Sequence, residues 1–169
     1  MPFAYRVRQF FSALTARVAA EERATPARYL SGEQLALFLA MPINDQRHAL
    51  NVLYRLLAAG HDHPHLLQAA LLHDAGKAQG RLGLATRVAV VLLRRIDGRI
   101  VDQLANAGGA RWRRALYVHA HHAAIGAELA AAAGSPAPVV RLIRGHGRAG
   151  ACRAGDDLAR ALHAADEES

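Results

Sequence analysis

The chain has 169 residues, of which 52% are hydrophobic and only 5% aromatic. This length accommodates one domain with at most a short appendage, and the apolar fraction excludes a disordered chain. The 21 basic and 14 acidic residues give a net charge of +7, which permits a phosphorylated partner, a nucleic acid or an anionic membrane surface without choosing among them. Among the 21 basic residues, Lys77 is the only lysine.

Alanine, leucine and arginine dominate, while β-branched and aromatic residues are few, so the composition predicts an all-α protein. A single cysteine, Cys152, excludes an internal disulfide and a cysteine-based zinc site, and it favours a reducing compartment. The longest apolar run, 88–93, is too short to cross a bilayer. We therefore expect a cytoplasmic protein without a transmembrane segment.

The N-terminal part of the chain is predicted to be a helical extension over residues 1–42. Apolar residues recur at spacings of three and four over 3–22, which predicts an amphipathic helix packed on the main body, with a membrane-surface or partner-binding role left open by its basic face. Thr25-Pro26 breaks this helix, and Ser31 with Gln34 forms a capping box for a short helix ending before Pro42.

Residues 43–169 are predicted to form the main domain. Asn44 can cap a helix that Gly60 ends, and Pro64 suits the first position of a helix reaching Lys77. The buried stripe predicted for the first of these helices consists of Ala49, Val52, Leu53, Leu56 and Leu57. Further helices are predicted over 85–95, 101–107, 112–133, 139–146 and 157–165, with a break in 112–133 near His122 left open.

Ten histidines are the main chemical signal. Five lie in a polar turn or on helix faces and are expected to be solvated: His61, His63, His65, His121 and His163. The first three form a histidine-rich tract, which is a weak metal-site candidate. A different pattern is spread over successive predicted helices: His48, His73 with Asp74, His122, His146 and Asp166.

His73 and Asp74 lie near the end of the mostly apolar segment 66–75. An unpaired carboxylate there would carry a desolvation cost of several kcal/mol, so Asp74 requires a partner. A hydrogen-bonded His–Asp pair would provide one, and so would a divalent ion. Imidazole and carboxylate donors suit Mn, Fe, Co, Ni or Zn, and six donors suit two ions that share Asp74 as a bridging carboxylate.

The segment 70–77, Ala-Leu-Leu-His-Asp-Ala-Gly-Lys, resembles the HDxGK signature of the HD-domain metal-dependent phosphohydrolases. The similarity continues in order from about Asn44 to Glu167. It covers 46–50 around His48, 122–128 (similar to the HxxIGAE segment of larger HD branches), 143–146 and 164–166. The resemblance implies an HD-domain helical bundle with a metal centre in its interior.

By this resemblance, one or two divalent transition-metal ions are expected. The first would be bound by His48, His73, Asp74 and Asp166, and the second by Asp74, His122 and His146. Asp74 and Lys77 are the expected catalytic residues.

Lys77 follows His73 by four positions and Asp74 by three, so it can face the same cluster. A compact ammonium there would bind the scissile phosphate or orient the metal-bound water. The alternative is a cation that merely stabilises a helix C-terminus. Arg47 and His119 are further candidates for contacts with substrate oxygens, with simple surface contacts as the alternative.

Three departures from the family pattern limit the substrate prediction. Gly147 stands where many two-metal relatives carry a second histidine, and the Gly-Tyr-Pro element of the cyclic-di-GMP hydrolases is absent. Asp74 and His122 are 48 positions apart, more than the small single-metal nucleotidases suggest, so 82–112 is predicted to add a helical cover.

The resemblance implies hydrolysis of a phosphomonoester or phosphodiester, of a nucleotide or another small anionic metabolite, by attack of metal-bound hydroxide. A mixed-valent di-iron oxygenase on the same scaffold is one alternative. A non-catalytic basic helical module is the other. Because the basic residues are scattered and lack interleaved aromatics, no stable nucleic-acid complex is expected. Homo-oligomerisation stays open.

Overall fold

The computed structural model of the chain describes residues 21–80, 108, 110–146 and 156–169. Within these ranges every regular element is a helix, which confirms the all-α prediction. The α-helices are α1 (Gly32–Leu39), α2 (Ile43–Ala58), α3 (Pro64–Leu72), α4 (Arg111–Ala132), α5 (Ala137–Gly145) and α6 (Asp157–Glu167). The 3₁₀ helices are η1 (Glu21–Ala24), η2 (Pro26–Arg28) and η3 (Ala75–Gly80).

Helix α3 lies at the centre of the described fold. Its sequence is apolar on nearly every side, as is typical of a helix that is buried all round, and only Gln68 among residues 66–72 is not fully buried. It contacts α1, α2, α5 and α6. The buried helix therefore ends inside the protein, and it delivers the next two residues, His73 and Asp74, into the interior.

Helix α1 is attached to this core through one polar and several apolar side chains. The predicted capping box is present, with the Ser31 N–H donating to Gln34 Oε1 at 3.2 Å. The same buried Gln34 side chain donates to Ser135 Oγ at 3.2 Å, which ties α1 to the turn between α4 and α5. Leu30, Phe38 and Met41 belong to the same hydrophobic core as α2 to α6.

The structure corrects two details of α2. The helix begins at Ile43 after Pro42, and Asn44 lies inside it, donating from Nδ2 to Asp45 Oδ1 at 2.7 Å instead of capping the helix. Leu57 is 37% exposed, whereas the stripe that faces the core includes Leu50. Gly60 follows the helix with a φ of +83°, a conformation that costs glycine little.

The chain after α3 forms a 3₁₀ helix where a continuous α-helix was predicted. The α-helix begins at Pro64 as predicted but ends at Leu72, and residues 75–80 continue as the 3₁₀ helix η3. Helix α4 is continuous through His122. The predicted helices over 85–95 and 101–107, most of the one over 3–22 and most of the predicted cover over 82–112 lie outside the described residues.

Helix η3 packs closely on α4 where two glycines meet. A Cβ at Gly76 would lie 2.7 Å from Gly126 N and even closer to the His122 carbonyl oxygen. A Cβ at Gly126 would lie 3.1 Å from Gly76 N. Glycine inside an α-helix is destabilising relative to alanine, but here its small size is required for the backbones to approach.

We expect Gly76→Ala to lower the free energy of unfolding by about 2 kcal/mol or more, because the added methyl group must push η3 away from α4. Urea unfolding followed by circular dichroism measures the change. Gly145→Ala is the matched control: its added methyl group would meet none of the described parts of the fold within 4 Å, so this substitution should be neutral or stabilising by up to about 1 kcal/mol. Equal stability of the two variants would contradict the close contact.

Candidate metal centre

The six predicted metal ligands meet at one place in the interior. They come from five parts of the fold, namely α2, the residues after α3, α4, the residue after α5, and α6. Their donor atoms form three overlapping groups, and within each group all donor atoms lie within 4.8 Å of one another: His48 with His73 and Asp74; His73 with His146 and Asp166; and Asp74 with His122 and His146. Among the described residues, every group that could hold an ion is drawn from these six.

Asp74 lies between two pairs of imidazole rings. Its Oδ2 is 3.5 Å from His73 Nε2 and 3.8 Å from His48 Nε2. Its Oδ1 is 3.6 Å from both His122 Nε2 and His146 Nε2. These separations are long for hydrogen bonds, but two donors that each lie about 2.0–2.2 Å from one ion are roughly 3–3.6 Å apart. Each carboxylate oxygen therefore faces its own pair of nitrogen donors.

Three of the four histidines are oriented by the same backbone contact. The Nδ1 atoms of His73, His122 and His146 lie 2.7–2.8 Å from the carbonyl oxygen three residues earlier in each case. A carbonyl oxygen only accepts, so each Nδ1 carries the hydrogen and donates it. In the neutral ring this leaves the Nε2 lone pair directed at Asp74, which is the tautomer that binds a metal ion.

Asp166 closes the cluster on the side of α2. Its Oδ1 accepts a hydrogen bond from His48 Nε2 at 2.8 Å and lies 3.5 Å from His73 Nε2. The Asp166 side chain is 27% exposed, whereas that of Asp74 is 2% exposed and that of His73 is fully buried. The open side of the cluster therefore lies toward Asp166 and away from His73.

Two buried polar atoms of this cluster have no hydrogen-bond partner among the residues that the structure describes: His73 Nε2 and Asp74 Oδ1. Buried polar groups in proteins almost always have a partner, and a pair left without one requires an explanation. A cation bound between the nitrogen and oxygen donors would satisfy both atoms. Four imidazoles and two carboxylates also form a donor set that divalent transition metals prefer, so the residues present fit such an ion.

The two carboxyl groups stay ionised despite their burial. Burial raises the pKa of Asp74, but Lys77, His73 and the other histidines around it lower the pKa further, so the net shift is well below its usual value. Burial also raises the pKa of Asp166, but the hydrogen bond from His48 and the nearby His73 imidazole more than offset this, and the pKa is lowered overall. Both groups are therefore anionic donors at neutral pH.

The pKa values of the two histidines on the Oδ1 side shift in opposite directions. Burial, and then the positive charge of Lys77, lowers the pKa of His122 to about 4, although Asp74 opposes the shift. Burial also lowers the pKa of His146, but the interaction of its ring with the Asp74 carboxylate outweighs burial, and its pKa is raised. At neutral pH His122 is therefore an uncharged ring that can accept a cation without first losing a proton.

Lys77 contacts the same cluster, as its spacing predicts. Its Nζ donates to Asp74 Oδ2, and its side chain is 29% exposed. Burial lowers the pKa of Lys77, but Asp74 raises it more, so the ammonium stays charged. The lysine therefore lies between the buried carboxylate and solvent.

The structure places the two substrate-contact candidates differently. The Arg47 guanidinium is bound by Glu22 at 2.6 Å and Asn51 at 3.0 Å, and it lies over the Tyr54 ring. His119 stacks on the His122 ring with a centroid distance of 6.0 Å, and its carbonyl accepts the His122 Nδ1 hydrogen bond. His119 is thus next to the centre, whereas Arg47 is occupied by η1 and its own helix. Their roles toward a substrate stay predictions.

Sequence reasoning missed two acidic residues near this site. Glu22, the partner of Arg47, is 25 positions away in the chain, and no sequence signal links the two. Asp45 is buried in the first turn of α2, with 5% of its surface exposed. Its spacing of three residues from His48 could have indicated that both lie on one helix face.

The histidine tract at the start of α3 does not join the centre. His63 Nδ1 accepts from the His65 N–H, and the two rings are 5.2 Å apart at the start of α3. No ion-binding group among the described residues includes either of them.

No protein-family model, curated protein or solved structure matches the chain in the comparisons with known proteins. The HD-domain resemblance accordingly depends on the motifs in the sequence alone. Within the described ranges, no helix has both the length and the apolar character needed to cross a membrane.

The low pKa of His122 predicts how the stability of the metal-free protein depends on pH. Unfolded His122 takes up a proton near pH 6.5, whereas the folded ring stays neutral down to a pKa of about 4. The free energy of unfolding should therefore fall by up to roughly 3 kcal/mol between pH 6.5 and pH 4.

Urea unfolding in the presence of a chelator at several pH values measures this slope. His122→Gln should reduce the loss, whereas His121→Gln, at the exposed neighbouring residue, should leave it unchanged. The same slope in the wild type and in His122→Gln would contradict the assignment of this proton to His122.

Proposed function

We propose that this protein is a metal-dependent phosphohydrolase that cleaves a phosphomonoester or phosphodiester of a small anionic metabolite, with nucleotides as the main class. The observation that carries the proposal is the position of Asp74, whose two oxygens each face two imidazole nitrogens at 3.5–3.8 Å inside the protein. This arrangement suits a carboxylate shared by two cations, which is the donor arrangement that two-metal phosphoryl transfer uses.

The donor groups would be divided over the two oxygens of Asp74. His48, His73 and Asp166 lie on the side of Oδ2, and His122 and His146 lie on the side of Oδ1. Divalent ions bound there would supply Lewis-acid polarisation of the phosphoryl group and a water activated for attack. The protein's part is to hold the donors in place, which the backbone carbonyls do through three of the four histidines.

Among the described residues, Lys77 is well placed to contact a phosphoryl oxygen. It is the cation that touches the buried carboxylate, and its partial exposure gives it access to a substrate that approaches from solvent. An ammonium next to the phosphorus would stabilise charge that develops on the non-bridging oxygens. His119, stacked on His122, would be the next polar group along the same wall of the site.

The overall charge supports a small anionic substrate. Twenty of the 21 basic residues are arginines, and bound divalent ions would add further positive charge at the centre. A net positive charge raises the local concentration of small anions around the protein. A substrate with one or two phosphate groups matches this charge distribution without requiring the extended basic track that a nucleic acid needs.

The same donor set would also suit a di-iron oxygenase. The contact of Lys77 with Asp74 favours the phosphohydrolase, because an ammonium at the centre can stabilise negative charge on phosphoryl oxygens. Phosphate release that needs Mn²⁺ or Co²⁺ and proceeds without oxygen would support the hydrolase. Iron-dependent oxygen consumption with no phosphate release would instead assign the oxygenase.

We expect Asp74→Ala to lose bound metal and to lower the hydrolysis of phosphomonoester and phosphodiester substrates at least about a hundredfold, because both cation positions share this carboxylate. Elemental analysis of the purified protein and release of p-nitrophenol from p-nitrophenyl phosphate esters in the presence of Mn²⁺ are the measurements. Asp62→Ala, at an exposed aspartate, is the matched control and should retain both properties. Full hydrolysis by Asp74→Ala would refute the proposed function.

A further inference from the structure

The Lys77 ammonium and a bound ion would need the same carboxylate oxygen. Lys77 Nζ contacts Asp74 Oδ2, and this oxygen also lies 3.5 Å from His73 Nε2 and 3.8 Å from His48 Nε2. An ion held by the two imidazoles and Asp74 would therefore bind to the oxygen that accepts from Lys77. Two cations on one buried oxygen repel each other strongly, so an ion at this position disfavours the contact of Lys77 with Asp74.

The charge of the cluster explains why the structure holds Lys77 at Asp74 and why an ion would release it. The six donors include two carboxylates, Asp74 and Asp166, which attract the ammonium. One divalent ion neutralises the charge of both carboxylates, and two ions would leave the centre positive. The attraction between Lys77 and the centre is thereby cancelled or reversed, unless an anion binds there as well.

The fold allows the Lys77 side chain to move while its backbone stays in place. The Lys77 N–H donates to Asp74 O at 2.9 Å, and the preceding residue, Gly76, packs against the α4 backbone. The Lys77 side chain is 29% exposed, whereas that of Asp74 is 2% exposed, so the ammonium can reach solvent on its flexible four-carbon stem without any movement of the backbone. A released ammonium therefore remains within one side-chain length of the centre.

We propose that Lys77 couples the binding of a divalent cation to the binding of a phosphate ester. Asp74 holds the ammonium until a cation binds to its Oδ2, and the released ammonium then donates to a phosphoryl oxygen of the substrate. The cation therefore binds first and the phosphate second, and each strengthens the binding of the other. The inference rests on the proposed function, from which it takes the cation and the phosphate ester.

The motion of the Lys77 side chain gives a direct test, because Lys77 is the only lysine of the chain. Protein grown with lysine labelled with ¹³C at Cε gives one lysine NMR signal, whose relaxation reports whether the side chain is fixed or mobile. Zn²⁺ is the cation probe because it is diamagnetic, and methylphosphonate is the anion probe because its carbon–phosphorus bond resists hydrolysis. We expect a fixed side chain in chelator, a mobile one at saturating Zn²⁺, and a fixed one again after methylphosphonate is added.

Calorimetric titration of Lys77→Met provides the second measurement. This variant should bind Zn²⁺ about tenfold more tightly, because no ammonium competes for Asp74. Methylphosphonate should bind about tenfold more weakly to its zinc-loaded form, whereas binding to its metal-free form should change less than about twofold, because Asp74 holds the ammonium there in the wild type. Arg28→Met removes the same charge from an exposed residue of η2, so it is the matched control and should change none of these affinities.

Two results would overturn the inference. One is a wild-type lysine side chain that stays equally fixed with and without saturating Zn²⁺, a result that needs no variant. The other is an equal loss of methylphosphonate affinity in Lys77→Met with and without Zn²⁺. The three expected mobility states together with no phosphate release from any ester would support the coupling and contradict the proposed phosphohydrolase. A wild-type protein that binds no Zn²⁺, Mn²⁺ or Co²⁺ would refute the metal centre and the coupling with it.

Discussion

The burial of one carboxylate, that of Asp74, is the constraint on which the arrangement of the other elements depends. The apolar helix α3 brings Asp74 into the interior, where an unpaired negative charge is strongly unfavourable. Imidazoles from α2, α4 and the end of α5 surround it, and η3 adds an ammonium. The helices around α3 thus bury apolar side chains and at the same time surround Asp74 with groups that stabilise its charge.

Two of the histidines also serve the helices that carry them. His73 and His146 each follow the last residue of a helix, where the final carbonyl groups lack partners within the helix. Their Nδ1 atoms donate to Ala70 O and Ile143 O, which satisfies one such carbonyl at each helix end. The same hydrogen bonds aim the Nε2 atoms at Asp74. Each of these two side chains therefore binds a carbonyl group at a helix end and also presents a nitrogen donor to the site.

Local signals in the sequence predicted the described helices, whereas the residues that meet at the centre were selected by the resemblance to the HD-domain motifs. Pro64 and the capping box at Ser31 each act over a few residues, and the structure agrees with both. The six ligand candidates are spread from His48 to Asp166, and the structure brings them together. The exposure of Leu57, the tightening of the chain at η3 and the burial of Asp45 depend on how the helices pack against each other. Sequence patterns contain little information about such contacts, and the pairing of Arg47 with Glu22 is of the same kind.

The close contact between Gly76 and Gly126 holds the backbone of η3 against that of α4. The spacing of His122 from Asp74 is set there by backbone touching backbone, not by the sizes of the side chains around it. Exposed side chains on α4 can therefore be exchanged without altering this backbone contact. The chain can diversify the surface around the centre, and with it the shape offered to a ligand, while the positions of the ion-binding atoms stay constant.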